Sequence, residues 1–107
     1  MNDEYISNDG LARFRMQYVS ALADNGVVAL DGGSVQLMFI LNDYGKMAMF
    51  EIRGGFSAVD LFLSPSSDYT ASKDTDTKTN VYFDSGYKIQ NMSGVTRNYT
   101  IATFGIS

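Results

Sequence analysis

Neither histidine nor cysteine occurs in the 107 residues, so any chemistry must come from carboxylates, hydroxyls, amines and phenols. Serine–histidine catalysis, disulfides, thiol chemistry and histidine or cysteine metal sites are thereby removed. Two-carboxylate catalysis needs a facing pair. The glutamates are Glu4, in a polar lead-in, and Glu51, within a strand pattern, and no spacing favours a pair such as Asp60 and Asp84. The stretch SKDTDTKTN sets Asp74 and Asp76 two apart, like the start of a calcium loop, but lacks that motif's glycine and distal glutamate. DGGS and RGG carry turn glycines without the Lys-Ser/Thr and helix of a phosphate loop. Asn91-Met92-Ser93 and Asn98-Tyr99-Thr100 match the N-glycosylation pattern, a match common by chance in a chain rich in Asn, Ser and Thr. These residues point away from an enzyme and call for no cofactor or metal.

Binding is the chemistry that remains. Tyr44 stands in a turn, and Asp68, Tyr69, Asp74 and Asp76 lie in the long polar stretch from Ser64 to Thr77. Aromatic faces stack on sugar rings, and carboxylates accept hydrogen bonds from sugar hydroxyls, when loops hold both rigidly. A tyrosine in such a loop serves equally well as a packing anchor. Loops of this length in a compact domain are usually functional or mobile.

The elements that must position these residues read as β throughout. VQLMFIL (Val35 to Leu41) and KMAMFEIR (Lys46 to Arg53) flank Asn42-Asp43-Tyr44-Gly45, a set of turn formers, and predict a hairpin. Gly54-Gly55 breaks the chain before FSAVDLFL, where Val59, Leu61 and Leu63 share a face opposite Asp60. In KTNVYFD, Thr79, Val81 and Phe83 alternate with Lys78, Asn80 and Tyr82. Tyr87 to Asn91 and Val95 to Phe104, split by Met92-Ser93-Gly94, predict a polar, threonine-rich hairpin near the end of the sequence. VVAL supplies one more short strand. Residues 11 to 24 fit a strand by the alternation of Arg13, Arg15 and Gln17 with Phe14, Met16 and Tyr18; they fit a helix by the spacing of Arg13, Gln17, Ser20 and Asp24. Strand is the reading consistent with everything that follows. About seven or eight strands, with turns every eight to twelve residues, make an antiparallel β-sandwich or jelly roll.

Length supports one domain over residues 11–107, after a flexible segment 1–10 whose acidic, polar composition is unlike a secretion signal. An apolar share of 45% with 19% charged residues suits a folded globule. The net charge of −4, with scattered lysines and arginines, offers no basic stripe for nucleic acid. No apolar run approaches the roughly 20 residues of a membrane-spanning helix, so no membrane insertion is expected.

The central hairpin is too apolar for a strand pair with one wet face. Val35, Leu37, Phe39 and Leu41 share one face and Gln36, Met38 and Ile40 the other; Ala48, Phe50 and Ile52 lie opposite Met47 and Met49. Either a loop or the N-terminal segment covers the second face, or it is a subunit interface at Met38, Met47 and Met49, where flexible methionines suit a surface that repacks on assembly.

The glycine-bounded run VYFDSGYKIQN, the closing TRNYTIATFG and the upstream ADNGVVALDGGSVQLMFILNDYGKMAMFEIRGG together resemble the C-terminal β-sandwich domains of tailed-bacteriophage fibre and receptor-binding proteins. The likeness covers residues 23 to 105 and is one of style, without a signature motif. It implies a virion protein that is a homotrimer, contacts other virion proteins and recognises a bacterial surface glycan or protein at its tip. It would make the last hairpin an edge or exposed rim. Lacking heptads, a collagen-like repeat or a stalk, the chain fits either an excised fibre domain or a small structural subunit, such as a capsid decoration or head-fibre protein.

Overall fold

The computed structural model describes residues 2–6, 12–30, 35–53, 58–64 and 67–106. Among them are strands and no helix: β1 (Asn2–Ile6), β2 (Ala12–Leu22), β3 (Val27–Ala29), β4 (Val35–Asn42), β5 (Met47–Arg53), β6 (Ala58–Leu63), β7 (Tyr69–Thr70), β8 (Thr79–Phe83), β9 (Tyr87–Asn91) and β10 (Arg97–Ile106). They form a six-stranded sheet ordered β1-β2-β10-β4-β5-β6 and a four-stranded sheet ordered β3-β9-β8-β7. The all-β sandwich is as expected, with β1 and the two-residue β7 pairing in addition to the anticipated strands. Every pairing is antiparallel except β7 with β8, which is parallel. The Gly54-Gly55 break, Phe56 and Asp31-Gly32-Gly33 lie outside the described residues.

Residues 12–22 are a strand because both of its edges find partners: β1 on one side and β10 on the other. A helix there would have left β10 unpaired along that edge, with backbone donors and acceptors to satisfy elsewhere. Alternation then sorts the side chains. Gln17 and Val19 face the core, while Tyr18 is 47% exposed on the outer face.

The expected C-terminal hairpin is corrected. β9 belongs to the small sheet, whereas β10 runs through the middle of the large one between β2 and β4. The turn between them is a corner where the chain changes layers, and β10 is neither edge nor rim. Its inward residues Tyr99, Ile101 and Thr103 are buried opposite Asn42, Ile40 and Met38 of β4. Tyr99 and Ile101 share one core cluster with Val81 and Ile89 of the small sheet.

Polar side chains tie the two layers together. Gln17 Nε2 donates to Ala29 O at 3.0 Å, and the Thr79 and Tyr99 hydroxyls share a bond of 2.8 Å. At the corner, fully buried Asn91 donates from Nδ2 to Leu22 O (2.9 Å) and Val95 O (2.8 Å), and its Oδ1 accepts from Ser93 N (3.0 Å) and Ser93 Oγ (2.6 Å). A carboxamide so occupied is a structural hub and no acceptor for a glycan. Low interior polarity makes such a network strong when complete and costly when broken.

β8 departs from its expected alternation, since Thr79, Asn80, Val81 and Tyr82 are all buried. The reason is the segment 71–77, which folds back over the outer face of the small sheet. There Asn80 Nδ2 donates to Thr75 O and to Gln90 Oε1, both at 3.0 Å, and Thr70 Oγ1 donates to Asn80 Oδ1 at 2.6 Å.

Asn91→Ala should lower unfolding free energy by about 2–4 kcal/mol, because it removes four hydrogen bonds and leaves their partly buried partners unpaired. Urea denaturation followed by tyrosine fluorescence measures this. A loss within about 0.5 kcal/mol, the level of an ordinary surface change, would refute the hub assignment.

Candidate functional site

Asn42 closes β4 and builds the turn that follows. Its backbone amide donates to Lys46 O (3.0 Å), Gly45 N donates to Asn42 O (3.1 Å), and its Oδ1 accepts from Tyr44 N (2.9 Å) and Lys46 N (3.0 Å). Gly45 takes a φ of 75°, a conformation that glycine adopts at little cost. The turn so fixed lifts Tyr44 clear of the sheet, 70% exposed. Arg97, the first residue of β10, lays its guanidinium 3.9 Å from the centre of the Tyr44 ring and 3.8 Å from the Asp43 carboxylate. Cation–π contact of this kind holds one face of the ring while leaving the other to solvent.

Beside this stack lies a polar cavity of about 100 Å³, lined by Asn42, Asp68, Thr77, Thr79, Ser93 and Arg97. Five chain segments converge on it: the β4–β5 turn, the approach to β7, the approach to β8, the β9–β10 corner and the start of β10. Thr77 sits there at a φ of 68°, a conformation rare for a β-branched residue.

The structure separates the expected binding residues. Tyr44 and Asp68 belong to this end of the sandwich, at the stack and in the cavity wall. Tyr69 does not: it is 3% exposed, and its hydroxyl donates to Lys46 O at 2.7 Å, so the packing-anchor role is the one it fills. Burial pushes its phenol pKa well above the usual range, with Tyr99 and Asp68 nearby acting in the same direction. Asp74 is occupied at the outer face of the small sheet, where its Oδ1 accepts from Gln90 Nε2 (2.8 Å) and its amide donates to Gln90 Oε1 (2.9 Å). Asp76 is exposed and accepts from Thr77 N at 3.0 Å, one residue from the cavity wall. Asn42 and Arg97 were missed. An asparagine before a turn is a familiar signal; a stack between residues 53 positions apart gives none.

The interface residues also divide. Met38 is fully buried, in register with Phe50 and Thr103, and drops out of the set because its face is the core. Met47 is 45% exposed and Met49 half-buried on the opposite face, with Leu41, Tyr18 and Phe104 exposed on that same side. An apolar groove of about 260 Å³ runs there between Phe39, Leu41, Met47, Thr100 and Ala102. Rings of Phe14 and Phe39 pack on Phe104, at 4.9 and 5.9 Å between centroids. No described residue covers this face.

No protein-family model, curated protein or solved structure matches the chain. The site presents an exposed ring, a guanidinium, amide and hydroxyl groups and a carboxylate.

Tyr69 and Tyr99 give the fold a pH dependence. Burial raises both phenol pKa values above the ordinary 10.0. Their contribution is therefore intact below pH 10.0 and is lost as pH rises above it, because the unfolded chain then releases protons that the folded chain retains. Stability should fall by on the order of 1 kcal/mol per pH unit above that point from Tyr69, with Tyr99 acting in the same direction. Thermal midpoints measured across the alkaline range, for the wild type and Tyr69→Phe, test this: the variant should show the shallower slope.

Proposed function

We propose that the chain is a non-enzymatic attachment module of the bacteriophage tail-fibre kind, which binds host-surface glycan through its hairpin end and works as an oligomer, a homotrimer by the resemblance. The observation that carries this reading is the Tyr44 ring, held by Arg97 on one face and open on the other beside a polar cavity. An exposed aromatic fixed by its neighbours loses little entropy on binding, which is what a weak sugar site needs. Repetition of the site in an oligomer would turn weak contacts into firm attachment without new contacts.

The apolar outer face of the large sheet favours a second reading, a structural virion subunit such as a capsid decoration or head-fibre protein. Exposed, contiguous apolar surface of this kind marks contact with protein. Both readings use that face; only the first needs the hairpin end.

Cell binding separates them, and a second measurement tests the face they share. Purified protein should bind whole bacterial cells, and Tyr44→Ala should cut that binding about tenfold or more while leaving the thermal midpoint in place, since the residue is exposed. Wild type that binds no cells removes the attachment reading. Replacing Met47 and Met49 together by lysine should give monomers or insoluble protein, because charge is forced into an apolar contact. Light scattering that finds an unchanged oligomer, or a monomeric wild type, would remove the interface.

A further inference from the structure

Two side chains at the hairpin end carry donors that make no hydrogen bond among the described residues. Asn42 is only 8% exposed, and its Oδ1 is identified by the two turn amides that donate to it. That fixes Nδ2 as the other arm of the carboxamide. Among the described residues Nδ2 has no hydrogen-bond partner. The Arg97 side chain is 13% exposed, and among the described residues its guanidinium has the ion pair with Asp43 and the Tyr44 ring but no hydrogen bond. A buried amide donor is nearly always satisfied, and the cavity that Asn42 and Arg97 both line is where acceptor oxygen can reach them.

The remaining wall decides which kind. Asp68 stands on the same cavity, and Asp43 lies beside Arg97. A carboxylate or phosphate ligand would satisfy the donors but be set against both aspartates. A hydroxyl accepts and donates through one oxygen. Adjacent hydroxyls can accept from Asn42 and Arg97 while donating to Asp68. The net charge of −4 also works against polyanions at long range.

Resting on the attachment reading above, we infer that the hairpin end is a subsite for an uncharged, polyhydroxylated sugar. Adjacent hydroxyls of one residue enter the cavity between Asn42, Arg97 and Asp68, and its C–H face lies on the open face of Tyr44. A cavity of about 100 Å³ admits the edge of a sugar ring and not a whole residue.

The full chain is immobilised and offered dextran, mannan and galactan beside alginate and polygalacturonate, at low and at high salt, with cell binding measured in parallel. Retention of a neutral polymer, unchanged by salt, is expected, and the acidic polymers should pass. Tyr44→Ala and Asn42→Asp should each weaken retention about tenfold. Asn42→Asp keeps an oxygen for both turn amides and replaces the donor by a charged acceptor; should its thermal midpoint fall, Tyr44→Ala decides alone. Retention of acidic polymers only, or neutral retention untouched by the variants, overturns the inference. Cell binding with no neutral polymer retained overturns it while sparing the attachment reading, and absence of both removes the two together.

Discussion

Asn91 is fully buried and satisfies both ends of its carboxamide inside the protein, and the way it does so sets the architecture. One end reaches back to Leu22 at the close of β2, and the other holds Ser93 in the corner that follows. Asn91 backbone groups also pair with Asn25 and Gly26. The corner is thereby fixed against the β2–β3 connection before β10 begins. Arg97 starts where that corner delivers it, and its reach to Tyr44 follows from that position. Ser93 lines the cavity for the same reason. The candidate site is thus a by-product of how the chain passes from one layer to the other.

A second constraint shapes the opposite face. Asn80 and Gln90 lie side by side on β8 and β9, buried, with amide groups that must be paired. Segment 71–77 supplies the pairing through Thr75 O, Asp74 Oδ1 and the Asp74 amide. Lys73 adds an exposed contact to Asp84 at 2.8 Å, across the Tyr82 ring. A stretch that reads as a free polar loop is therefore the cover of a small sheet, and its Asp74 is spent on structure.

Strand type and position were legible wherever one face of a strand is dry and the other is not. VQLMFIL and KMAMFEIR gave the hairpin, its turn and the two faces, because alternation of period two is a local property. Which face looked inward was not local. Met38 and Met49 have the same side chain; their fates depend on β10 and the small sheet lying across one side only. The last strand misled for a related reason. Thr100 and Thr103 look like rim residues, yet Thr103 packs opposite Met38 and Thr100 opposite Leu41. Of the site, Tyr44 and Asp68 could be picked out as turn and loop residues, whereas the stack with Arg97 exists only after the layers close.

The central place of β10 also governs how the protein must be made. β2 and β4 flank it, so each lacks one of its two partners until residues 97–106 have been synthesised. Their pairing spans most of the chain, and folds dominated by such distant contacts form slowly. Through translation the ribosome would hold a chain with open sheet edges and an apolar hairpin, the kind of intermediate that aggregates or recruits chaperones. Loss of the final strand would remove the middle of a sheet and not its margin, so expression yield should be more sensitive to changes in the last ten codons of that strand than to changes in the first strand.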